Sequence, residues 1–259
     1  MVQTVSERVS VVRADNPGIM TLDGTNTWVL REPGATTSVV VDPGPDDAAH
    51  LEAVHAAAGR VGLVLYTHHH ADHTEALDAF AALTGAPSRA VSPEFCRPGT
   101  DGVAVEPLTD GEIIDLDGLR LEVVLVPGHT EDSVSFRLLD EPALLSGDTV
   151  LGHGTTVIAH PDGVLGAYLD SVARLRALAD EGLVQRILPG HGPVVEQALA
   201  VLDFYLEHRQ DRLEQVRAAL EAGDETARQV VERVYADVDP VLWPAAERSV
   251  EAQLEYLRS

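Results

Sequence analysis

The sequence predicts an α/β protein in which mixed sheets are layered against helices. Short apolar runs of strand type alternate along the chain with longer segments whose apolar residues recur at helical spacing. Four runs end in Gly or Thr and are followed at once by a residue able to bind a metal: "VGLVLYT" by His68, "LEVVLVPG" by His129, "PALLSG" by Asp148 and "VQRILPG" by His191. Open sheets with helical layers place their sites at the C-terminal ends of strands, so we expect these four side chains to converge.

Helical periodicity predicts helices at Asp46–Ala58, Thr74–Leu83, Leu165–Ala179 and from about Val195 to Ala222. Apolar or alternating runs bounded by Gly, Pro and Asp predict further strands at Ser38–Val41, Glu112–Ile114 and Ser133–Leu138. After the long helix, "TARQVVERVYADV" and the final "AAERSVEAQLEYLRS" are again helical in pattern. We therefore expect a main domain over 1–200 and a small helical region over 201–259, which packs on the main domain through a leucine stripe of the long helix.

The charge of the chain favours some partners over others. Its formal net charge is −24, with 42 acidic residues against 18 cationic residues, all of which are arginine. A polyanion would meet long-range repulsion from such a surface, and no basic run is present to collect phosphates. Nucleic acid is therefore disfavoured as a partner, and a small molecule is favoured.

Features of the chain also indicate a compartment. The N-terminal "MVQTVSERVSVVRADNPG" has no apolar run of signal-peptide length, and no stretch approaches the roughly 20 apolar residues that span a bilayer. The single cysteine, Cys96, fits a reducing environment and is expected to be an inert thiol. We predict a cytoplasmic protein with no membrane partner.

The segment "YTHHHADHTEA" concentrates ligand-type residues and predicts a metal site. His68 and His70 are two residues apart, so on an extended segment they point to the same side. With His129 they would form the three-imidazole set that a catalytic zinc takes while keeping an open position. The intervening His69 is expected to point away, into a packing layer.

A second metal is predicted next to the first. Asp72 and His73 follow where the chain turns into a helix, and with His191 they supply mixed oxygen and nitrogen ligands. The carboxylate of Asp148 could bridge both ions, and Asp72 or Asp148 could orient or shuttle a proton. Two zinc ions are expected, with iron or manganese as alternatives, because such mixed ligands select weakly between metals.

The ordered motif resembles the metallo-β-lactamase fold superfamily, whose pattern matches seven positions residue by residue: His68, His70, Asp72, His73, His129, Asp148 and His191. The resemblance implies an αββα sandwich of two mixed sheets and a metal-dependent hydrolase. A second site without cysteine is unlike the zinc β-lactamases and resembles the glyoxalase II, lactonase and RNase Z branches. Antibiotic hydrolysis is therefore not expected.

Three further stretches, "NPGIMTLDGTNTWVL", "SGDTVLGHGTTV" and "LPGHGPVV", are similar to the beta-lactamase-like protein 2 subfamily, which contains an endoribonuclease and shares its branch with fungal acyl-carrier thioesterases. The resemblance implies that 201–259 is winged-helix-like. Since the chain stops at "LEYLRS", about where the wing should follow, we expect a partial version of that domain.

Three residues are candidates for substrate binding. Asn26 could line the cleft or build a turn with the preceding glycine. His153, in "LGHGTT", could bind substrate or donate a proton, or could belong to a surface loop. Tyr168 could reach an oxyanion or serve as amphipathic packing.

These residues together predict a dinuclear zinc hydrolase, in which a metal-activated hydroxide attacks a small ester, thioester or lactone carbonyl. The subfamily resemblance leaves a single-strand endoribonuclease as an alternative. A non-catalytic, metal-stabilised interaction protein is the third hypothesis.

Overall fold

The computed structural model describes residues 2–258, and in this range two mixed sheets lie face to face. The first sheet has strand order β1-β2-β3-β4-β5-β6 and the second β11-β10-β9-β8-β7. Pairing is antiparallel except for β4 with β5, β5 with β6, and β10 with β11. The strands of the first sheet are β1 (Val2–Thr4), β2 (Val9–Arg13), β3 (Asn26–Leu30), β4 (Thr37–Val41), β5 (Arg60–Leu65) and β6 (Ser88–Arg89). Those of the second are β7 (Ile113–Leu116), β8 (Leu119–Leu125), β9 (Val134–Leu138), β10 (Ala143–Gly147) and β11 (Arg186–Pro189).

Helices cover the outer face of each sheet. They are α1 (Ala48–Ala58), α2 (Ala71–Thr74), α3 (Leu77–Thr84), α4 (Leu165–Asp180), α5 (Ala198–Glu221), α6 (Ala227–Val234) and α7 (Trp243–Arg258), with short 3-10 turns at Pro93–Phe95 and Pro240–Leu242. Side chains of α1 and α3 pack on the first sheet, and those of α4 and α5 pack on the second. The resulting αββα sandwich confirms the predicted fold class.

Burial on both faces explains why several strands read as continuous apolar runs. In β4, Val39 and Val41 point into the core between the sheets, while Val40 points toward the helices outside. In β8, Val123 and Val124 divide in the same way between the inner and outer cores. Since successive side chains of a strand alternate, a strand covered on both sides needs apolar residues at every position.

The helix predicted over Thr74–Leu83 is divided into two. The short α2 ends at Thr74, and α3 begins only at Leu77. Between them the backbone N–H of Ala76 donates to the carbonyl of Gly44, in the loop after β4. This break sets α2 against that loop, and α2 carries Asp72 and His73 to the end of the sandwich.

The C-terminal helices pack on the distal half of α5. A small separate core joins Val216 of α5, Val230 of α6 and Val250 of α7, all fully buried. The proximal half of α5 belongs to the outer core of the second sheet, where it is joined by Ala252 of α7. The predicted packing of the long helix on the main domain is present for Leu202, Leu206 and Leu213, but the fourth leucine of the stripe, Leu220, packs against the small core with α6 and α7. Within residues 2–258, no helix is both long and apolar enough to cross a membrane.

Candidate metal centre

Four loops at one end of the sandwich bring the ligand-type residues together. They follow β5, β8, β10 and β11, as the convergence of strand ends predicts. Close packing of these loops requires glycine at one of the turns, because a Cβ on Gly190 would overlap Oδ1 of Asp148. The "PGH" sequence thus places His191 beside the carboxylate that follows β10.

Three imidazole nitrogens form the first donor set. Nδ1 of His70 lies 3.0 Å from Nε2 of His68 and 3.1 Å from Nε2 of His129. These separations are close to those between nitrogens that share one tetrahedral zinc, where each Zn–N bond is about 2.0–2.1 Å. We refer to these residues as the tripod.

Asp72, His73 and His191 form the second donor set. Oδ2 of Asp72 lies 3.3 Å from Nε2 of His73 and 3.1 Å from Nε2 of His191. The two imidazole nitrogens are 3.3 Å apart. We refer to these residues as the mixed set; its carboxylate and imidazole donors suit a divalent transition metal.

The Asp148 carboxylate lies between the two sets. Its Oδ2 is 3.8 Å from His129 Nε2 in the tripod and 3.3 Å from His191 Nε2 in the mixed set. Its Oδ1 is buried and accepts no hydrogen bond within residues 2–258. A buried carboxylate oxygen without a donor is costly unless a cation satisfies it. The residues present therefore fit two metal ions with Asp148 between them.

Hydrogen bonds on the far side of each ring indicate which nitrogen is free. Nδ1 of His129 lies 2.9 Å from the carbonyl of Val157, and Nδ1 of His191 lies 3.3 Å from the carbonyl of Gly24. A carbonyl can only accept, so both Nδ1 atoms carry the proton. The Nε2 lone pairs of His129 and His191 are then left to face the cluster, as metal-binding histidines require.

Asp42 orients two more rings, and sequence reasoning missed it. Its Oδ2 accepts from Nδ1 of His73 at 2.8 Å and from the hydroxyl of Thr67 at 2.7 Å. Because the Thr67 hydroxyl gives its proton to Asp42, it accepts the Nδ1–H of His68 at 3.0 Å. The signal was present in "TSVVVDPG", where Asp42 follows an apolar strand just as the four recognised ligand-type residues do.

The two donor sets differ in their electrostatics. Burial, reinforced by neighbouring imidazoles, lowers the pKa of His68 well below its usual value and that of His70 to about 4. Burial also lowers the pKa of His129, although Asp148 opposes the shift. The tripod is therefore neutral at pH 7, which is the form of histidine that binds metal.

The mixed set is held by opposite charges instead. Burial acts against the charged forms, but Asp72 and Asp148 raise the pKa of His73 to about 9 and that of His191 to about 10. Without a metal these rings carry a second proton on Nε2 at neutral pH, and a metal ion that binds there displaces it. Burial likewise disfavours the Asp148 carboxylate, yet His73 and His191 lower its pKa to about 2. The Asp148 carboxylate between the two sets is therefore ionised at neutral pH.

A family model described as the metallo-beta-lactamase superfamily matches residues 20–194, which include every residue of both donor sets. The chain belongs to this superfamily. A second model, a beta-lactamase associated winged helix domain, matches residues 226–259. The superfamily consists of metal-dependent hydrolases, and the chain is an enzyme of this class.

Relatives with curated names support the assignment. The chain is 31% identical to a beta-lactamase-like protein 2 homolog of Caenorhabditis elegans, over 99% of this chain and 86% of that protein. It is 30% identical to the Drosophila melanogaster homolog, over 93% of this chain and 85% of that protein. It is also 33% identical to an atrochrysone carboxyl ACP thioesterase of Aspergillus fumigatus, over 85% of this chain and 67% of that protein.

Solved structures share the fold. A metallo-beta-lactamase family protein of Thermus thermophilus superposes with a TM-score of 0.78 at 24% identity, over 96% of this chain and 93% of that one. A beta-lactamase domain protein of Burkholderia ambifaria gives a TM-score of 0.80 at 20% identity, over 99% of this chain and 87% of that one. Both similarities cover nearly the whole of this chain.

Among the residues predicted to bind substrate, Tyr168 requires correction. Its side chain is fully buried, and its hydroxyl donates to the carbonyl of Thr149 at 2.7 Å. It therefore cannot reach an oxyanion, and the packing alternative is the one observed. The Thr149 carbonyl that accepts this hydrogen bond is adjacent in sequence to Asp148. Tyr168 therefore helps to fix the loop that carries Asp148.

Asn26 and His153 flank the loop that carries His191. The Asn26 side chain is 4% exposed and donates from Nδ2 to the carbonyls of Pro189 and Gly192. His153 is exposed, and a Cβ on Gly192 would lie 3.3 Å from its ring. Asn26 therefore stabilises the loop around His191 by hydrogen bonds, whereas the side chain of His153 is accessible to solvent.

His69 belongs to neither donor set, although its ring meets that of His70 edge-on with centroids 5.2 Å apart, and its predicted place in a packing layer is wrong. Its ring is about one-third exposed and lies between two carboxylates, with Nδ1 2.8 Å from Asp132 Oδ1 and Nε2 3.4 Å from Asp162 Oδ2. A polar ring gains more from these partners than from apolar packing. His69 thus ties the loop after β5 to the segments that carry Asp132 and Asp162.

Proposed function

We propose that this superfamily member is a dinuclear zinc hydrolase of small acyl esters, thioesters or lactones. The observation that carries the proposal is the placement of the Asp148 carboxylate within 4.0 Å of both the tripod and the mixed set. A single shared carboxylate between two complete donor sets is the arrangement expected for a pair of ions about 3.5–4 Å apart. Iron or manganese would be accepted by the same ligands.

When bound, the ions would supply Lewis acidity to the substrate carbonyl and to a water molecule. The chain itself supplies the proton acceptor. Asp72 is the most exposed carboxylate of the centre, with its side chain 27% exposed, and the Thr25 hydroxyl donates to its Oδ2 at 3.0 Å. This hydrogen bond fixes the carboxylate and leaves Oδ1 as its other acceptor. We assign Asp72 Oδ1 as the acceptor of the proton from the attacking water.

The charge distribution supports a small acyl substrate over RNA. Residues 201–259, which include the winged-helix match, contain seven arginines against thirteen acidic residues. RNA binding draws much of its affinity from cationic contacts to phosphate, and this region offers a net negative surface. The name of the Aspergillus fumigatus relative, a thioesterase, is consistent with acyl chemistry.

Two further parts of the proposal concern organisation. We place the catalytic domain at 1–200 and a C-terminal winged-helix-like region at 201–259, with α5 crossing from one to the other. The cytoplasmic location stays a prediction that rests on the sequence features described above.

The test is a substrate panel. Protein purified without chelators should carry about two equivalents of zinc. It should hydrolyse acyl thioesters or lactones faster than it cleaves labelled single-stranded RNA at low and at moderate salt. His68→Ala should abolish both activities, since it removes a tripod ligand, while His55→Ala on the outer helix α1 serves as the matched control.

Two results would overturn the proposal. Absence of metal in the purified protein would remove the hydrolytic centre. Robust metal-dependent RNA cleavage without acyl hydrolysis would establish the endoribonuclease alternative, and would mean that the local field of the cleft outweighs the net charge of the chain.

A further inference from the structure

The loop between β2 and β3 ends in a buried threonine that contacts the mixed set. Thr25 is fully buried directly before β3, and its Oγ1 donates to Oδ2 of Asp72 at 3.0 Å. The carbonyl of the preceding residue, Gly24, lies 3.3 Å from Nδ1 of His191. Two consecutive residues of this loop thus contact two of the three members of the mixed set.

Asn16, at the other end of the same loop, holds Thr25 through two hydrogen bonds. Its Oδ1 accepts from the backbone N–H of Thr25 at 2.9 Å, and its Nδ2 donates to Thr25 Oγ1 at 3.0 Å. Gly24 permits this close approach. Its φ is +122°, and a Cβ there would overlap the carbonyl oxygen of Ala14 and lie 3.2 Å from Oδ1 of Asn16. The two ends of the loop are therefore joined by the Asn16 side chain.

Hydrogen-bond chemistry sets the direction in which Thr25 gives its proton. A backbone N–H can only donate, so the Asn16 atom that faces it is the carbonyl oxygen, and the amide nitrogen faces Oγ1. An amide nitrogen can only donate, so Oγ1 accepts from Asn16. The one hydroxyl proton is then left for the carboxylate of Asp72. Asn16 therefore begins a chain of hydrogen bonds that runs through Thr25 and ends on Asp72.

We propose that Asn16 is a positioning residue, which acts through the Thr25 hydroxyl to hold the Asp72 carboxylate in place at the mixed set. This role rests on the proposed hydrolase function, in which Asp72 ligates one ion and accepts the proton of the attacking water. With Oδ2 held by Thr25, Oδ1 keeps its assigned place as the proton acceptor. Asn16 itself belongs to neither donor set.

The role of Asn16 is confined to one of the two sites. The tripod is oriented by other groups, since Nδ1 of His68 donates to the Thr67 hydroxyl and Nδ1 of His129 to the carbonyl of Val157. Loss of a group that orients a metal ligand typically weakens metal binding by about 10- to 100-fold. Loss of Asn16 should therefore weaken the binding of one zinc ion and leave the other nearly unchanged.

The first measurement is zinc affinity, by stepwise competition with a chromophoric chelator. In Asn16→Ala and in Thr25→Val, we expect one zinc ion to bind about tenfold more weakly and the other to stay within about twofold. Thr25→Ser keeps the hydroxyl and should bind both ions as the wild type does. Thr21→Val is the matched control, because it removes a hydrogen bond of the same loop, from Thr21 Oγ1 to the backbone carbonyl of Asn16, but none at Thr25.

The double variant Asn16→Ala/Thr25→Val tests whether Asn16 acts through the hydroxyl. Once the hydroxyl is absent, Asn16 has no group through which to hold Asp72, so the double variant should bind zinc no more weakly than Thr25→Val alone.

Kinetics with saturating zinc give a second measurement. Both single variants should lower kcat for an acyl thioester about tenfold and change KM less than about twofold, because Asp72 accepts a proton and does not bind the substrate.

The outcomes separate this role from the proposed function. Unchanged zinc affinity in Asn16→Ala, an equal loss in Thr21→Val or additive losses in the double variant would overturn the role of Asn16. Circular dichroism of the metal-free variants checks their folding, and unfolded Asn16→Ala would show that this residue holds the fold and not Asp72. Selective loss of one zinc ion that Thr25→Ser does not share supports the role. If no ester or thioester is hydrolysed in that case, the proposed function is overturned instead.

Discussion

Individual histidines of the centre are oriented by partners on the far side of each ring. His73 relies on Asp42, His129 on the carbonyl of Val157, and His191 on the carbonyl of Gly24. Such partners fix the tautomer and direction of a ring, so that its free lone pair meets the metal without further rearrangement. Asp148 differs, because its own position between the donor sets links them.

Asp148 should matter more for metal content than His69, the histidine that lies between two tripod residues in sequence. Asp148→Ala removes a donor from both sites, so we expect metal content to fall from about two equivalents to one or fewer. His69→Ala removes contacts to Asp132 and Asp162 and an edge-on ring contact to His70, but no donor of either set, and should keep most of the metal. Elemental analysis of both variants after purification without chelators measures the difference, and equal losses would show that Asp148 does not bridge.

His50 lies outside the metal centre, and its titration should make the stability of the folded protein depend on pH. It is 7% exposed on α1, with Nε2 2.9 Å from the Thr27 hydroxyl, and burial lowers its pKa below 6.5. The unfolded chain therefore takes up this proton first, so the stabilisation from neutral His50 is present above about pH 6.5 and is lost as pH falls. His50→Gln keeps a polar group near Thr27 without a titrating ring.

The measurement is the melting temperature of wild type and His50→Gln between pH 8 and pH 5. The wild type should lose more stability across this range than the variant, although carboxylates and metal release affect both proteins alike. Parallel curves would contradict the assigned role of His50. His55→Gln, on the same helix, is the matched control and should follow the wild type.

Among the secondary-structure elements, α5 supports the loop that follows Asp148. The Tyr205 hydroxyl accepts from the backbone N–H of Leu151 at 2.9 Å. The Arg209 guanidinium donates to the carbonyl of Thr156. Two successive turns of α5 thus hold the same loop from one side.

Arg209 connects α5 to the tripod. Its side chain is 5% exposed, its guanidinium lies 5.1 Å above the ring of Tyr168, and within residues 2–258 no carboxylate pairs with it. The carbonyl after that of Thr156 belongs to Val157 and accepts from His129. Arg209 is therefore one backbone residue removed from a tripod ligand.

Arg209→Met should separate stability from metal binding. Burying a charge is costly, and Nε of Arg209 has no hydrogen-bond partner within residues 2–258, so replacement by an apolar side chain should not lower the melting temperature of the metal-free protein. Loss of the bond to Thr156 frees the loop that supports His129, and zinc affinity should fall about tenfold. Competition with a chromophoric chelator measures this affinity.

Arg212→Met is the matched control, because Arg212 lies over the Tyr235 ring at 4.4 Å, away from the loop. Unchanged zinc affinity in Arg209→Met, or an equal loss in Arg212→Met, would remove the role of Arg209 in positioning His129.

In the molecule as a whole, three cores hold the sandwich together and a fourth holds the C-terminal helices. The centre lies where the loops of both sheets meet, so it depends on the packing of one sheet on the other. The C-terminal core depends on α5, whose distal half is covered by α6 and α7. The winged-helix match over 226–259 falls on these two helices.

Truncation after residue 225 should leave the centre assembled but lower the stability. It uncovers fully buried apolar side chains of α5, including Val216 and Ala219. An exposed apolar stripe of this kind promotes association, so we expect a lower melting temperature and aggregates in size-exclusion chromatography. Zinc content per folded protein should stay near that of the full chain. A monomeric truncation with an unchanged melting temperature would indicate that α6 and α7 contribute nothing to packing.

Local pattern was enough to predict an α/β protein with mixed sheets and to pick out the residues of the two donor sets, whereas the αββα sandwich was implied by the family resemblance. An apolar strand followed by a polar residue delivers that side chain to one edge of a sheet wherever the strand lies. The boundaries of elements were harder to predict. At the break between α2 and α3, the backbone N–H of Ala76 donates to the carbonyl of Gly44. The helical pattern of the sequence does not indicate this hydrogen bond.

Which nitrogen each ring presents, and what supports the ring, depends on tertiary contacts. Asp42 and His73 are 31 residues apart in sequence, and Gly24 and His191 are 167 apart. No periodicity specifies such pairs, since they arise from the packing of loops that follow different strands. The same reason explains why the sequence mispredicted the surroundings of Tyr168 and His69. The type of a side chain gives its chemistry, but its burial is fixed by the layers around it. Tertiary packing buries Tyr168 beside the loop of Asp148 and leaves His69 partly exposed between two aspartates.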